Sequence, residues 1–365
     1  MPLPPERLIR DDILRLSAYH VPDSAGFVKL DAMENPYRLP QPLCEALGNI
    51  AADAALNRYP DPSARVLKAR LRTAMNVPHG IELLLGNGSD ELIQMIAMAL
   101  ARPGATMLGV EPSFVMYRMI ATFCGLRYQS IPLREDFALN VDACLEAIAR
   151  LRPAVTFIAY PNNPTANLFD PEGVSRMIET ASGLVVVDEA YYAFAGASFL
   201  PRLADYPNLL IMRTVSKLGL AGLRLGVLAG HPDWIAELDK VRLPYNINVL
   251  TQLLAERILR EPQVLEDQAA AICAERSRLA SALTRLAGVQ VFPSNANFLL
   301  FRVRRAADVF AALVAQRVLV KCLDRTHPLL ANCLRVTVGT PAENDRFLQA
   351  LTTSLAAGGI GAAAP

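Results

Sequence analysis

Short apolar segments alternate with amphipathic segments along the chain from about residue 65 to residue 230. Apolar and β-branched runs predict seven strands, at 81–85, 105–110, 126–131, 154–160, 184–187, 209–213 and 225–229. Apolar positions with helical spacing lie between them, including 90–101, 113–124, 141–151 and 171–182. Most of the strand segments are apolar at every position, which is typical of strands buried on both faces. This alternation predicts an α/β fold in which helices cover both faces of a mainly parallel sheet.

A second and smaller α/β unit is predicted after residue 245. A long helical region covers about 246–287, followed by strand patterns at 289–292, 297–303 and 333–338 and by a helix near 306–317. We therefore expect an N-terminal arm at 1–35, a large domain at 36–245 and a small domain at 246–353. The last residues, 354–365, are rich in alanine and glycine, and we expect them to form a disordered tail.

The composition gives no sign of a nucleic-acid or membrane partner. Hydrophobic residues make up 52% of the 365 positions and the formal net charge is +1, so we expect no strongly basic surface. The apolar runs fall short of the roughly 18 residues that a spanning helix needs, and the N-terminus lacks the pattern of a signal peptide. The six cysteines form no CxxC pair and the four histidines lie far apart, so we expect reduced thiols and no metal site. Together these features predict a cytoplasmic protein.

An acid, a phenol and a lysine follow two of the predicted strands. Asp188 ends a triple-valine run, and a carboxylate buried there is costly unless it is paired, for example with a protonated pyridine nitrogen. Tyr191 follows three residues later and could reach the oxygen on the same ring. Lys217 lies among small and apolar neighbours, where a lowered pKa would favour Schiff-base chemistry. The set predicts a site for pyridoxal 5′-phosphate (PLP), although for either charged residue taken alone an ordinary helix cap or a surface lysine is the better interpretation.

Two further segments would complete such a site. Gly88, Ser89 and Asp90 join a strand to a helix, whose first amides could bind a phosphate, although the same residues also make an ordinary N-cap. Ser216 and Arg224 would add donors to the phosphate. A rigid loop after 154–160 carries Asn163, which suits a phenolate oxygen, although Asn-Pro is also a common turn former. The carboxyl edge of an open α/β sheet is where such ligands bind.

Taken in order, these motifs resemble the fold-type I PLP-dependent aminotransferases, over about residues 7–350. The matching segments are Glu34-Asn35-Pro36-Tyr37, Arg58-Tyr59-Pro60-Asp61, Gly88-Ser89-Asp90-Glu91, Pro112-Ser113-Phe114-Val115-Met116-Tyr117, Asn163-Pro164-Thr165, Asp188-Glu189-Ala190-Tyr191, Ser216-Lys217 and Leu334-Arg335-Val336-Thr337-Val338-Gly339-Thr340. The second and the last segments are similar to the histidinol-phosphate branch. That branch transaminates between glutamate and imidazole-acetol phosphate in histidine biosynthesis. An aromatic or broad-range aminotransferase, and more distantly a phosphothreonine decarboxylase, remain alternatives.

The resemblance implies roles for individual residues around the cofactor. Lys217 would carry PLP as a Schiff base, and Asp188 would pair with the pyridine nitrogen. Asn163 and Tyr191 would bond its O3′ oxygen, while Tyr117 would lie against the ring face. The residues expected around the cofactor phosphate are Gly88, Ser89, Asp90, Ser216 and Arg224.

The resemblance also implies a partner and a substrate site. Tyr59 would reach the cofactor of a neighbouring subunit, so we expect a homodimer with shared active sites. Arg335 would receive the carboxylate of the amino donor. Lys321, Tyr19 and Asn35 would be further substrate contacts.

The chain departs from the family pattern at four points. Ala166 replaces the glycine of an Asn-Pro-Thr-Gly loop, which would strain the backbone by about 1 kcal/mol or more if the position has a positive φ. The segment from Lys217 to Arg224 is one residue shorter than in many relatives. Lys321 stands where relatives often have an arginine, and Met33 replaces a common asparagine. A lysine keeps the charge but loses the forked geometry.

Overall fold

The computed structural model describes residues 3–18 and 21–357. Its strands are β1 (Val28–Lys29), β2 (Glu82–Gly86), β3 (Thr106–Glu111), β4 (Arg127–Pro132), β5 (Val155–Ala159), β6 (Leu184–Asp188), β7 (Leu209–Thr214), β8 (Gly226–Gly230), β9 (Val289–Val291), β10 (Phe298–Val303), β11 (Val318–Leu319), β12 (Lys321–Cys322) and β13 (Cys333–Thr337). Its α-helices are α1 (Asp11–Leu14), α2 (Gln41–Asp53), α3 (Arg65–Ala74), α4 (Ser89–Leu100), α5 (Met116–Cys124), α6 (Val141–Leu151), α7 (Pro171–Thr180), α8 (Tyr192–Ala195), α9 (Pro232–Asp239), α10 (Val249–Ile258), α11 (Pro262–Thr284), α12 (Ala306–Ala315) and α13 (Pro341–Ala357).

The large sheet has seven strands in the order β2-β8-β7-β6-β5-β3-β4. Neighbouring strands are parallel except for β8, which is antiparallel to both β7 and β2. The connection of residues 215–225 between β7 and β8 is short enough to suit the antiparallel direction, since a parallel crossover usually needs about a dozen or more residues that include a helix. The prediction of a seven-stranded, mainly parallel sheet with helices is confirmed.

Both faces of the sheet are packed against apolar side chains. Along β6, Val185 and Val187 belong to one hydrophobic core, while Leu184 and Val186 belong to the core on the opposite face. Successive side chains on a strand point to opposite faces, so a continuous apolar run is what two cores require. The first polar position at the end of β6, Asp188, therefore lies at the edge of the sheet.

The C-terminal part of the chain builds a second sheet and a third core. Its four antiparallel strands have the order β12-β13-β10-β9, and a separate parallel pair joins β1 of the arm to β11. On α10, Ala255 and Ile258 pack in the core of the large sheet, whereas Leu279 and Leu283 near the end of α11 pack in the core of the small one. The expected domain boundary at 245/246 stays a prediction, and we propose that the division falls within α11.

The predicted tail begins inside a helix. Helix α13 continues to Ala357, and Leu355 near its end is buried. The rest of that tail, residues 358–365, lies outside the described residues, as do residues 1–2 and 19–20. Within the described parts of the chain, we find no helix that is long and apolar enough to cross a membrane.

Candidate active site

A cavity of about 590 Å³ lies at the carboxyl edge of the large sheet. The segments that follow β5, β6 and β7 meet there, together with the first turn of α4. The residues that line it are Met33, Ser89, Asp90, Phe114, Ala159, Pro161, Asn163, Asp188, Ala190, Tyr191, Thr214, Ser216, Lys217 and Arg224. The predicted acid and lysine therefore share one cavity on one side of the sheet.

Lys217 lies in a compact turn between β7 and β8. The turn passes through Gly219 at φ +118°, where an added Cβ would come within 2.9 Å of the Asn35 amide nitrogen, so both the conformation and the space favour glycine. Lys217 Nζ donates a hydrogen bond of 3.3 Å to the carbonyl oxygen of Ala32. Burial, helped by the nearby Arg335 guanidinium, lowers the pKa of Lys217 to about 8. Near neutral pH this amine is still mostly charged, but it loses its proton far more readily than a lysine of ordinary pKa.

Asp188 is held by two hydrogen bonds at the end of β6. The Tyr117 hydroxyl donates to its Oδ2 at 2.7 Å, and the backbone N–H of Ala190 donates to its Oδ1 at 3.1 Å. Burial raises the pKa of this carboxyl to about 6, and the two hydrogen bonds oppose that rise. The group is thus an anion at neutral pH in a largely desolvated place, where a cationic ligand group is favoured.

A cradle of backbone and guanidinium groups lies at the N-terminus of α4. A Cβ added to Gly88 would lie 2.5 Å from Nη2 of Arg224, and one added to Gly226 would lie 2.7 Å from the backbone nitrogen of Ser89. Both positions must stay without a side chain for the strand, the helix N-terminus and Arg224 to approach one another. A helix N-terminus beside an arginine is suited to an anion such as a phosphate. The cradle therefore fits the phosphate expected from the sequence.

Two hydroxyls and a carboxyl adjoin this cradle. The hydroxyl oxygens of Thr214 and Ser216 lie 2.9 Å apart. Asp90 Oδ1 is buried without a hydrogen-bond partner among the described residues, and burial raises the pKa of that carboxyl. A buried polar atom of this kind calls for a donor, and no residue in the described ranges supplies one. This observation also favours a bound ligand.

Arg335 lines a second cavity and hydrogen-bonds to Asn163, which lines both cavities. Its Nη1 donates to Asn163 Oδ1 at 2.6 Å and its Nη2 donates to the carbonyl oxygen of Asp31 at 2.9 Å. A guanidinium can only donate, so the Asn163 amide must turn its oxygen towards Arg335 and its N–H donors away. Those donors are what a phenolate oxygen in the cavity would need.

The second cavity, of about 1290 Å³, shares Met33, Phe114 and Asn163 with the first. Both Lys321 and Arg335 line it, and the two residues are directly opposite in the antiparallel register of β12 and β13. Their side chains therefore lie on the same face of the sheet, where like charges repel unless an anion lies between them. The arrangement favours an anionic substrate group.

Similarity to a known protein family supports the interpretation of this geometry. The family model "Aminotransferase class I and II" matches residues 25–351. The chain belongs to this family.

Curated relatives extend the family match over nearly the whole chain. This aminotransferase is 57% identical to histidinol-phosphate aminotransferase 1 of Ralstonia nicotianae, over 96% of this chain and 95% of that protein. It is 56% identical to histidinol-phosphate aminotransferase 2 of Cupriavidus pinatubonensis, over 96% and 97% of the two chains.

A solved structure shares the fold. The structure of histidinol-phosphate aminotransferase from Sinorhizobium meliloti in complex with pyridoxal-5′-phosphate has a TM-score of 0.86 with this chain. The two chains are 22% identical, and the match covers 96% of this chain and 98% of that one. At that identity the likeness establishes the fold alone.

Most of the residues expected around the cofactor of this aminotransferase line the first cavity, but Tyr117 does not have its expected position. Tyr117 is fully buried behind Asp188, with its ring stacked on Phe157 at 4.8 Å between centroids. Helix α5 begins at Met116, and the first turn directs Tyr117 inward beneath the sheet edge. Phe114 lies ahead of the helix and lines both cavities.

Three further residues were expected to contact the substrate or the partner subunit, namely Asn35, Tyr59 and Tyr19. Asn35 donates to the carbonyl oxygen of Leu218 and to Gln268, so its amide supports the turn that carries Lys217. Tyr59 is 79% exposed and stacks on Tyr245, with 4.4 Å between ring centroids. Tyr19 lies outside the described residues.

Two of the departures from the family pattern lie at residues with a positive φ. Ala166 has a φ of +65° and Met33 has a φ of +56°, so both occupy the left-handed region in which a glycine or an asparagine is more comfortable. The short segment after Lys217 still brings Arg224 to the cavity, and Arg224 itself has a φ of +49°.

The sequence reasoning named neither Phe114 nor Thr214 as a site residue, although both line the first cavity. Phe114 stands in a segment that was noticed, and its position shortly after the carboxyl end of β3 was the available signal. Thr214 is the last residue of β7 and was regarded only as a small neighbour of Lys217. Both errors concern which side chain of a recognised motif faces the cavity.

Proposed function

We propose that this chain is a PLP-dependent aminotransferase that moves an amino group between glutamate and imidazole-acetol phosphate, in histidine biosynthesis. The donor set of the first cavity fits PLP: an amine, a buried carboxylate, and a glycine-lined cradle beside Arg224. When bound, PLP supplies an aldehyde for amines and a ring that withdraws electrons from the substrate Cα. The names of the close relatives support the same activity.

In this proposal each functional residue of the cavity has its own role. Lys217 Nζ would hold the cofactor covalently until the amino group of the substrate replaced it. The freed amine, whose pKa burial lowers, would then take a proton from the substrate Cα and return it. Asp188 would keep the ring nitrogen protonated. Asn163 and Tyr191 would donate to the ring oxygen, and Phe114, which also lines the cavity, would contact the ring. The first amides of α4, including that of Asp90, would hold the phosphate together with Ser89, Ser216 and Arg224.

The register of Lys321 opposite Arg335 is the observation that carries the substrate assignment. The two anions that the site must accept are different, because histidinol phosphate carries a phosphate whereas glutamate carries two carboxylates. A fixed arginine can bind either anion in a forked manner, and a lysine beside it is a point charge on a flexible stem. We propose that Arg335 anchors both substrates and that Lys321 adds charge for the phosphate.

A half-reaction screen tests this assignment. Purified enzyme loaded with PLP would be mixed separately with histidinol phosphate, phenylalanine, tyrosine and phosphothreonine, while the visible absorbance of the bound cofactor is followed. We expect histidinol phosphate to react with the highest kcat/KM, and Lys217→Ala to be inert. Equal rates with phenylalanine would favour a broad-range aminotransferase, and release of carbon dioxide from phosphothreonine would favour a decarboxylase.

We also propose a homodimer in which Tyr59 completes the site of the other subunit. Two large apolar side chains close in sequence to Tyr59 and to its stacking partner Tyr245 are exposed on this chain, Leu56 (69%) and Leu243 (72%). A partner that covers them would remove a costly apolar surface from water. A cytoplasmic location and the lack of a nucleic-acid partner stay predictions.

Mixed dimers give a direct test of the shared site. Lys217→Ala and Tyr59→Ala subunits, each of low activity alone, would be co-expressed with different tags and the mixed dimer isolated. If Tyr59 serves the other subunit, one of the two sites regains Lys217 and Tyr59 together, and activity returns. If Tyr59 serves its own subunit, each site keeps one defect and the mixed dimer stays inactive.

A further inference from the structure

Tyr117 lies behind Asp188, the acid that we propose binds the cofactor ring, and contacts it there. Its side chain is fully buried, and its hydroxyl donates to Asp188 Oδ2 at 2.7 Å. The ring is fixed by Phe157 on one side and by an edge contact with Phe114 on another, with centroids 4.8 and 5.5 Å away. These two aromatic neighbours thus determine where the hydroxyl lies. The phenol cannot swing to another acceptor without disturbing that cluster.

The carboxylate of Asp188 is oriented by this contact and by one other. The backbone N–H of Ala190 donates to Oδ1, so among the described residues each oxygen has one donor. A carboxylate has about four acceptor positions, and the positions left face the cavity that Asp188 lines. Its plane is therefore set before any ligand arrives.

The electrostatic surroundings make the phenol's donation important. Asp90 from α4 and Glu189, the next residue along the chain, both disfavour a negative charge on Asp188, as does burial. Glu189 is itself paired with Arg213 at 2.9 Å, which limits its effect. Tyr191 and Tyr128 also lie near the phenol, and Lys217 and Arg224 are the cations of the same cavity. Among these neighbours, Tyr117 donates a hydrogen bond to the charged form of Asp188.

We propose that Tyr117 is a positioning residue that keeps Asp188 ionised and aimed at the ring nitrogen of the cofactor. The inference rests on the proposed function, because it assumes that PLP binds with its nitrogen against Asp188. Without the phenol, the pKa of Asp188 would rise, and the proton between carboxylate and ring nitrogen would shift towards the carboxylate. A less positive ring withdraws electrons less effectively and leaves the nitrogen that joins Lys217 to PLP more basic.

Tyr117→Phe tests this role, because it removes only the hydroxyl and retains the ring stacking. We expect kcat to fall by about tenfold, as for a hydrogen bond to a charged group, with little change in KM for glutamate. Independently of activity, the pH midpoint of the visible absorbance of the PLP-loaded protein should move upwards. Tyr206→Phe is the matched control, because it deletes a hydrogen-bonded hydroxyl at Glu179, away from the cavity. It should leave both quantities unchanged.

A double mutant separates positioning from general damage. In an Asp188→Asn background, Tyr117→Phe should cause no further shift of the midpoint, because its proposed target is already neutral. An unchanged midpoint and rate in the single variant would overturn the inference, and so would an equal shift in the Asn background. If the wild-type protein bound no PLP, the proposed function would fail first, which is a different result.

Discussion

Lys217 should destabilise the cofactor-free protein at neutral pH. Its pKa is lowered from 10.5 to about 8, mainly by burial. At about 1.36 kcal/mol per pKa unit, keeping this amine charged in the folded state costs about 3 kcal/mol. Lys217→Met retains the apolar stem and removes the charge, and it also loses the hydrogen bond to Ala32, worth about 1 kcal/mol. The variant should therefore be about 2 kcal/mol more stable than the wild-type protein at pH 7.

The sign of the pH dependence follows from the lowered pKa. The cost is fully present below pH 8, where the amine is charged in the folded and the unfolded states. It decreases as the pH rises from about 8 to 10.5, because the folded protein loses its proton first. The stability advantage of Lys217→Met should therefore shrink over that range.

Urea unfolding of the cofactor-free proteins at pH 7 and at pH 10 measures this difference. All proteins would be studied at one concentration, because dimerisation would make the apparent stability depend on it. Lys240→Met is the control, since Lys240 is 66% exposed and forms a surface ion pair with Glu237. The reasoning would be refuted if Lys217→Met were no more stable than wild type at pH 7, or if its advantage were the same at both pH values.

Three further predictions concern the site. Asp188→Asn should still bind PLP through the phosphate cradle but lose activity by tenfold or more, because a neutral amide gives up a charged hydrogen bond of about 1.5–3 kcal/mol. If the variant kept most of its kcat, Asp188 would not be the residue that supports the ring nitrogen. Arg335→Ala should lower kcat/KM in the half-reactions with glutamate and with histidinol phosphate, each by about 1.5–3 kcal/mol. Lys321→Ala should impair the reaction of histidinol phosphate and spare that of phenylalanine. An equal loss with histidinol phosphate and phenylalanine would exclude Lys321 from phosphate recognition. Ala166→Gly should change the free energy of unfolding by less than about 1 kcal/mol, because relief of the positive φ is offset by greater unfolded-state freedom and by the loss of a buried methyl group; thermal unfolding that shows a large change would contradict this balance.

The sequence was most informative where physical requirements are local. Strands buried on both faces must be apolar at every position, so 184–187 and 209–213 could be recognised and their polar ends assigned to one edge. Asp188 and Lys217 follow those ends, and the structure puts both beside the same cavity. The positive φ at residue 166 could also be anticipated, because the expected glycine indicated the backbone conformation.

Features that depend on distant packing could not be predicted in this way. The reversed direction of β8 depends on how the turn of Lys217 folds back onto the sheet. The choice between Phe114 and Tyr117 as the cavity-facing ring depends on where α5 begins, and helix starts are difficult to fix from sequence to within a residue or two. Similarly, α10 has an ordinary amphipathic pattern that does not say which of the two sheets it packs against.

The chain contains five lysines, Lys29, Lys68, Lys217, Lys240 and Lys321, which makes the central claim directly measurable. The protein would be loaded with PLP, reduced with borohydride to fix the cofactor on its lysine, digested, and mapped by mass spectrometry. The account predicts that the reduced cofactor is found on the peptide containing Lys217, and that Lys217→Ala carries none there. A cofactor fixed stoichiometrically on another lysine, or no fixed cofactor in the wild-type protein, would contradict it.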